Sequence, residues 1–410
     1  MNIGGLAKSL IIIGYLDTDR ILNKTNQSNT DTKMNDQSRR DFLKKTTAIG
    51  AGTFFIPHFL RASANSKVNF AVVGVGGRGW RNFNEMLNEQ NPELSENIVA
   101  FCDVCDERAA QAYETFPEVP RFKDFRKMMD KMHKDIDAVI VSTPDHTHFA
   151  VTLASRQLGK HVYVEKPLAH NIWQLRALAR AALRYPVIAM MGNQGHCSDG
   201  IRRVKEWVDA GVTGDVTEVI AWFKGPEFKE TGYFLKPDTF PPPPVPVPVT
   251  LDWDLWLGPA AEVPYTGYYH PRFWRGWYDF GCGELGDWAC HTLDAPFWSL
   301  DLGSPVVVEP EHSDLNQMHE KFVTDSSILR FEFPARGNKP PVVLKWFEGG
   351  KQPENRPEWM MDKLSNNGMV MVGSKQSIRT GGRPNDSRLI MPEDEWKAYQ
   401  RNAPEPVIPR

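Results

Sequence analysis

Two carboxylates and a histidine have the types and the spacing of a proton-transfer site. Asp287, His291 and Asp294 are separated by four and three residues, so a helix through this segment would present all three on one face. A histidine beside carboxylates can accept a proton near neutral pH, while the carboxylates orient the ring and stabilise the imidazolium. A structural histidine held by a helix carboxylate has the same spacing, and the residues alone fit either interpretation.

A lysine at the end of an apolar segment is a second candidate. Lys166 lies in Glu165-Lys166-Pro167, directly after a strand predicted over residues 161–164. Ligands of open α/β sheets bind at the carboxyl ends of the strands. An ammonium there can hydrogen-bond a hydroxyl or a carbonyl, and Pro167 restricts the backbone beside it. The spacing alone also fits a surface lysine.

A glycine-rich segment predicts a loop that binds a dinucleotide. Gly74-Val75-Gly76-Gly77-Arg78-Gly79 follows the apolar run 68–73 and precedes an amphipathic stretch over 80–87. In such a loop, Gly74 allows a tight turn and Gly76 lets the backbone approach the pyrophosphate. Gly79 lets the next helix pack closely, with its first N–H groups toward the anion.

An acidic residue follows at a suitable distance. Asp103 ends a strand predicted over 98–102 and lies 24 residues after Gly79. A carboxylate at this position accepts hydrogen bonds from the adenosine ribose, and it favours NAD because the 2′-phosphate of NADP would meet a like charge. Arg108 follows closely and would soften that repulsion, so the sequence does not exclude NADP.

Two patterns of apolar segments must position these residues. Up to residue 192, short apolar runs alternate with helical stretches, which predicts a doubly wound parallel sheet covered on both faces. Beyond it, longer strands predicted over 216–223, 327–333 and 341–347 indicate a large, mainly antiparallel open sheet, and the proline-rich stretch 236–249 predicts an extended loop. The fold class is therefore α/β, with a predicted extension over 1–64, a dinucleotide-binding domain over 65–192 and a substrate domain over 193–410.

The composition of the chain excludes several classes of protein. A chain of 410 residues with a net charge of −3 has room for two domains and gives no electrostatic reason to bind nucleic acid. Its five cysteines do not form the framework of a small disulfide-rich protein. Cys102 and Cys105 form a C-x-x-C pair without a second pair, so we expect packing rather than a metal site.

The N-terminal segment resembles a twin-arginine export signal. Ser38-Arg39-Arg40-Asp41-Phe42-Leu43-Lys44 precedes a short apolar run over 48–60 and then Ala62-Ser63-Ala64. This order predicts cleavage after Ala64, the twin-arginine translocase as a partner during export, and a periplasmic or otherwise exported protein. A disordered basic tail is the alternative. Translation could start at Met1 or at Met34.

Four motifs in this order together resemble the Gfo/Idh/MocA family of NAD(P)-dependent sugar and cyclitol oxidoreductases. They are the glycine loop, Ser142-Thr143-Pro144-Asp145-His146-Thr147-His148, Glu165-Lys166-Pro167, and the glycine-rich D-x-x-x-H-x-x-D segment that begins at Asp287. The resemblance implies a Rossmann domain followed by an α/β domain whose open sheet often forms oligomers, so we expect a homo-oligomer. The segment 193–196 departs from the common family form, and the chain ends before the family's usual closing helix and strands, which predicts a truncated C-terminal domain.

The resemblance also implies roles for individual residues. The family's catalytic lysine, aspartate and histidine correspond to Lys166, Asp287 and His291, with Asp287 orienting His291. Substrate-binding roles fall on these three and on His196 and Asp294. Cofactor-binding roles fall on the glycine loop, including Gly77 and Arg78, on Asp103, and on Thr143, Pro144, His148, Glu165 and Lys166.

The implied activity is hydride transfer between NAD(P) and a hydroxyl of a sugar or glycoside. His291 would remove the hydroxyl proton while Lys166 holds and polarises the oxygen. Aromatic residues within 252–256 and 268–278 are predicted to stack on sugar faces, with Tyr269, Arg272 and Arg275 meeting hydroxyls. An exported enzyme is expected to keep its cofactor tightly bound. A redox-assisted glycoside hydrolase and a carbohydrate-binding protein without catalysis are the alternatives.

Overall fold

The structure is a computed structural model that describes residues 67–87 and 96–410. The predicted export signal over 1–64, both candidate start residues and the predicted cleavage site lie outside these residues. Within the described part of the chain, no helix combines the length and the apolar character needed to cross a membrane.

The first sheet contains six parallel strands in the order β3-β2-β1-β4-β5-β6. Its strands are β1 (Asn69–Val73), β2 (Asn97–Cys102), β3 (Arg121–Phe122), β4 (Ala138–Val141), β5 (His161–Glu165) and β6 (Ala189–Gly192). The helices between them are α1 (Arg78–Asn84), α2 (Asp106–Thr115), α3 (Phe125–Met132), α4 (Asp145–Gln157) and α5 (Ile172–Arg184). The predicted doubly wound parallel sheet is confirmed.

Burial explains why these segments form central strands. All four residues of β4 are buried, which matches an uninterrupted apolar run covered on both faces. The short β3 escaped prediction because two residues carry no periodicity. Asp124 and Asn171 cap α3 and α5 by accepting hydrogen bonds from backbone N–H groups, and these caps fix where the two helices begin.

The second sheet contains seven strands in the order β13-β12-β11-β7-β10-β9-β8. The strands are β7 (Val216–Phe223), β8 (Val307–Asp314), β9 (Ser326–Phe333), β10 (Val342–Glu348), β11 (Asn367–Gly373), β12 (Ile378–Thr380) and β13 (Arg388–Leu389). The accompanying helices are α6 (Asp199–Asp209), α7 (Trp253–Leu257), α8 (Cys290–Thr292), α9 (Asp294–Leu300) and α10 (Glu393–Arg401). Among the described strands of this sheet, only β7 and β10 pair in parallel, so the predicted mainly antiparallel sheet is confirmed.

Alternation along β9 places one face of this sheet in the core. Leu329, Phe331 and Phe333 are buried together with Trp346 of β10, whereas Arg330 faces solvent and pairs with acidic side chains. The stretch 236–249 forms neither helix nor strand, as its prolines predict. The strands and the helix after residue 366 continue the fold, and the predicted truncation of this domain stays a prediction.

The segment between β7 and α8 reaches back to the first sheet. His146 at the start of α4 contacts the carbonyl of Trp256 through Nε2 at 2.9 Å, and its backbone N–H donates to Phe280 at 3.2 Å. An aromatic cluster that includes Trp256 and Phe280 also packs against Cys105, which begins α2. The carboxyl edge of the parallel sheet therefore faces residues of the second half of the chain.

Candidate active site

The glycine loop is shaped by close contacts inside the protein. Gly74 has a φ of +81°, the left-handed region that favours glycine. A Cβ on Gly79 would lie 1.8 Å from the Gly74 carbonyl oxygen, and one on Gly76 would lie 2.3 Å from the Arg108 carbonyl oxygen. Gly79 thus allows α1 to pack on the loop as predicted. Gly76 must lack a side chain because the backbone of α2 lies against it.

The Asp103 carboxylate fixes the glycine loop through hydrogen bonds to its backbone. Its Oδ2 accepts hydrogen bonds from the N–H groups of Val75 at 2.8 Å and Gly76 at 3.3 Å, and its Oδ1 accepts one from Cys105 at 3.0 Å. Burial raises the pKa of Asp103, and these hydrogen bonds oppose the shift. The carboxylate also lines the cavity described below, beside Arg108. Its predicted contact with a ribose stays a prediction.

The loop after β4 forms the next wall of the cavity. Thr143 and Pro144 line the cavity, but His148 is not among the described residues that do so. The buried His148 ring instead lies 2.7 Å from the carbonyls of Thr143 and Pro167, so it fixes the β4 loop against the β5 loop. Glu165 lines the cavity and accepts a hydrogen bond at 2.9 Å from Asn82 of α1.

Lys166 and Asp287 form a buried ion pair in the wall of the cavity. The ammonium contacts Oδ1 of Asp287 and donates to its backbone carbonyl at 2.7 Å, and the two side chains are only 13% and 14% exposed. Arg275 adds a second cation, with Nε 3.5 Å from the same Oδ1. Burial alone would lower the pKa of Lys166 and raise that of Asp287. Their mutual attraction outweighs this effect, so the pKa of Lys166 is raised and that of Asp287 is held well below its usual range.

The D-x-x-x-H-x-x-D segment does not form one regular helix. Leu285–Ala289, which include Asp287, form a π-helical turn, and a turn at Leu293 interrupts the helix between His291 and Asp294. Asp287 and His291 reach the cavity, whereas Asp294 is absent from its described lining. Asp294 pairs with His196 at 2.8 Å and accepts a hydrogen bond from Asn193 at 3.0 Å. Two of the five residues predicted to bind substrate, His196 and Asp294, therefore bind each other, and neither is in the described lining of the cavity.

His291 lines the cavity and has one unprotonated ring nitrogen. Its Nδ1 lies 3.0 Å from the carbonyl of Gln194, which can only accept, so Nδ1 carries the proton and Nε2 is the free base in the neutral ring. Burial, together with the charges of Lys166 and Arg383, lowers the pKa of His291 to about 3. The prediction that Asp287 orients His291 is wrong, because Asp287 pairs with Lys166 and Gln194 holds the ring.

One cavity of about 870 Å³ joins these features. The glycine loop and Asp103 line one end, and Lys166, Asp287 and His291 line the other. Sequence reasoning did not assign several other lining residues, among them Asp145, Gln194, Tyr233, Trp288 and Arg383. Asp145 stands inside a motif already singled out, and burial raises its pKa to about 6. Arg383 lies in a turn that no pattern distinguishes.

Most aromatic residues predicted to contact a sugar belong to the core. Tyr269 is buried within the aromatic cluster and stacks with Trp253 at a centroid distance of 6.1 Å. Trp256 and Trp274 do line the cavity, as do Arg272 and Arg275. The Arg275 guanidinium lies 4.2 Å from the Trp274 ring centre. Among the described residues, no group of His, Cys, Asp and Glu side chains is arranged to hold a metal ion.

The fold and the cavity together define an α/β oxidoreductase with a nucleotide-binding domain. Residues 68–193 match the model of the GFO_IDH_MocA oxidoreductase family, described as an NAD-binding Rossmann fold, and residues 198–333 match the family's C-terminal alpha/beta domain. The chain belongs to this NAD-binding family. Its glycine loop and the adjoining end of the cavity fit NAD.

Known relatives cover only part of the chain. A glycosyl hydrolase family 109 protein from Solibacter usitatus is 29% identical over 206 residues, which are 45% of each chain. A levoglucosan dehydrogenase from Pseudarthrobacter phenanthrenivorans is 26% identical over 132 residues, 32% of this chain and 30% of the relative. The chain thus matches less than half the length of these proteins. The WlbA dehydrogenase from Bordetella pertussis, solved with NADH and UDP-GlcNAcA, has the same fold, with a TM-score of 0.56, 20% identity and 83% of each chain covered.

Proposed function

We propose that this protein oxidises a hydroxyl group of a sugar or glycoside by hydride transfer to NAD. The observation that carries the proposal is that one cavity contains the glycine loop, the Lys166 ammonium and the free Nε2 of His291. Sugar oxidation requires these three parts: a nucleotide site, a donor for the substrate oxygen and a base for its proton. The levoglucosan dehydrogenase among the relatives supports the same chemistry.

Each residue has a defined task in this reaction. Lys166, kept as an ammonium by Asp287, donates a hydrogen bond to the hydroxyl oxygen and stabilises the charge that develops there. His291 accepts the hydroxyl proton at Nε2 because Gln194 retains the proton on Nδ1. Bound NAD would supply the acceptor for the hydride of the carbon that carries this hydroxyl. Arg275 lies against Asp287, and Asp145 lines the same cavity as the Lys166–Asp287 pair.

Replacement of Lys166 tests the proposal. Lys166→Met should lower kcat for sugar-dependent reduction of NAD by at least about a hundredfold, the usual cost of removing a donor to a developing oxyanion. Nucleotide binding, measured by calorimetry, should remain. Lys205→Met, which removes a lysine that is paired with Asp209 on α6 and lies outside the cavity lining, is the matched control. Equal turnover in the two variants would reject the assignment of Lys166.

Redox-assisted glycoside hydrolysis is a second candidate, favoured by the glycosyl hydrolase family 109 relative. Oxidation of a ring hydroxyl acidifies the neighbouring C–H, so the aglycone can leave by elimination. Water then adds, and the hydride returns to the sugar. Spectra of the nicotinamide during turnover separate the candidates. Net reduction in proportion to sugar indicates a dehydrogenase, whereas aglycone release with the cofactor back in its starting state indicates a hydrolase. A carbohydrate-binding protein would show neither.

We also propose that the protein is exported with NAD tightly bound. The twin-arginine motif supports this, because that route carries folded proteins. Fractionation of cells that express the full chain tests it, with Arg39 and Arg40 both replaced by Lys as the control that should retain the protein inside. We further propose a homo-oligomer that forms through the second sheet. Sedimentation of the purified protein tests this proposal.

A further inference from the structure

Arg383 is a charged residue of the cavity to which the proposed reaction assigns no task. It lies in the turn between β12 and β13 and lines the cavity together with Trp288 and His291. Its guanidinium carbon is 5.1 Å from the centre of the Trp288 ring. Trp288 is itself held by Phe223 at the end of β7, with the two rings stacked at a centroid distance of 4.2 Å. The guanidinium therefore rests on a fixed aromatic surface.

Arg383 has donors that the protein does not use. Among residues 67–87 and 96–410, no acceptor or carboxylate is paired with its guanidinium, and its buried Nε has no hydrogen-bond partner. Arg356, by contrast, donates to both carboxylate oxygens of Glu218 at 2.7 and 2.8 Å. Arg156 and Arg388 also have a buried Nε without a partner, but neither of them lines the cavity. Donors left without an acceptor destabilise a fold. A cavity that retains them is suited to an acceptor supplied by a ligand.

The surrounding charges indicate which acceptor fits. Lys166 and Arg275 share the single carboxylate of Asp287, so the positive charge of Arg383 is not balanced by that group. A guanidinium presents parallel N–H groups that match the two oxygens of a carboxylate, and such charge-assisted pairs are stronger than hydrogen bonds to a neutral hydroxyl. A neutral sugar would leave the cation unpaired.

We propose that Arg383 binds a carboxylate on the substrate, which makes a uronic acid or a uronide the preferred substrate. The proposal rests on the sugar-oxidising function proposed above and specifies its substrate class. Arg383 is then the residue that determines specificity, while Lys166 and His291 carry the reaction. Trp288 holds the guanidinium plane, so that its N–H groups can meet the carboxylate without a large loss of side-chain freedom.

Matched sugars test the proposal on the full-length protein. Methyl glucuronide and methyl glucoside differ only in the carboxylate, and methyl galacturonide and methyl galactoside form a second pair. The wild-type protein should reduce NAD with a kcat/KM at least about tenfold higher for the uronide of one pair. Arg383→Gln should lower this ratio by about tenfold or more, mainly through KM. Arg383→Lys, which keeps the charge but lacks the paired N–H groups, should give an intermediate ratio. Arg203→Gln on the exposed face of α6 should leave it unchanged.

Each outcome decides the proposal. Equal kcat/KM for uronides and neutral glycosides in the wild-type protein would overturn it, and so would an unchanged ratio in Arg383→Gln. Preference for a glucose sulfate or phosphate over the uronide would overturn the assignment of a carboxylate. Calorimetric binding of methyl glucuronide to the NAD-loaded protein provides a readout without turnover. Binding that is lost in Arg383→Gln, with no reduction of NAD by any sugar, would support this inference while rejecting the proposed oxidation.

Discussion

Replacement of Asp287 by Asn should destabilise the protein strongly, because it leaves two cations without their shared carboxylate. Asn has nearly the same shape and can still accept a hydrogen bond from Lys166, so the change removes charge rather than volume. Burial would then act on Lys166 without compensation, and its pKa should fall. Sugar oxidation in the variant should therefore be lost at a lower alkaline pH than in the wild-type protein, because Lys166 would lose its proton earlier.

The expected loss of stability in Asp287→Asn can be worked out from the distance between Asp287 and a neighbouring cation. At the 3.5 Å between Arg275 Nε and Asp287 Oδ1, two unit charges attract by about 5 kcal/mol when the effective dielectric constant is about 20. Desolvation offsets much of this attraction in the wild-type protein. Removing one partner of a buried pair typically costs about 3–5 kcal/mol, since the remaining charge is buried alone. The retained hydrogen bond places our expectation near the lower limit, at about 3 kcal/mol.

The free energy of unfolding is measured by urea denaturation of the wild-type protein and of Asp287→Asn over a range of pH. The pKa of Asp287 is lowered by folding, so its contribution is present above the carboxyl's ordinary pKa and is lost as the pH falls through its folded pKa. The pKa of Lys166 is raised by folding, so its contribution is present at neutral pH and is lost only as the pH rises above its usual range. The difference between wild type and variant should be largest near neutral pH and should shrink below about pH 4.

A pair of the same chemistry with a half-exposed carboxylate provides the control. Lys205 and Asp209 form an i,i+4 pair on α6, with side chains 18% and 50% exposed. Asp209→Asn should change the free energy of unfolding by no more than about 0.5 kcal/mol. If Asp287→Asn also falls within that limit, or if its effect does not change with pH, the buried pair does not stabilise the protein as we infer.

Two further predictions concern the loop and a buried acid. Gly79→Ala should lower stability by about 1–3 kcal/mol and weaken NAD binding, because its Cβ would lie 1.8 Å from the Gly74 carbonyl oxygen. Calorimetry and thermal unfolding measure both effects, and Gly267→Ala, whose Cβ would meet no atom within 4 Å, should change neither. Glu284→Gln should stabilise the protein by about 1 kcal/mol or more at pH 8, because burial and the neighbouring carboxylates of Asp287 and Glu348 raise the pKa of Glu284. In the wild-type protein, the contribution of Glu284 to stability is present at low pH and is lost as the pH rises. The stability gained by Glu284→Gln should therefore vanish near pH 4 in denaturant titrations. A gain that does not change with pH would contradict the raised pKa of Glu284.

Sequence reasoning succeeded where periodicity and glycine chemistry dictate the structure. Apolar runs buried on both faces, such as β4, predicted the parallel sheet, and alternation along β9 predicted the open one. It failed where a choice among partners depends on three-dimensional position. The helical spacing of the D-x-x-x-H-x-x-D segment gave no indication of the π-helical turn at Asp287 or of the turn at Leu293, and Asp294 does not line the cavity.

The choice of partner for Asp287 shows why such spacing is insufficient. Asp287 lies four residues from His291 in sequence but pairs with Lys166, which is 121 residues away. Lys166 is the stronger competitor because a buried ammonium requires a carboxylate, whereas a neutral imidazole is satisfied by the Gln194 carbonyl. Pairing with Lys166 and orienting His291 are therefore done by two different groups, Asp287 and the Gln194 carbonyl, rather than by Asp287 alone. In the proposed reaction, the Lys166–Asp287 pair keeps a cation for the substrate oxygen, and the Gln194 carbonyl holds the His291 proton on Nδ1, so that Nε2 is the atom left to accept the substrate proton. Burial and the charges of Lys166 and Arg383 keep the ring neutral.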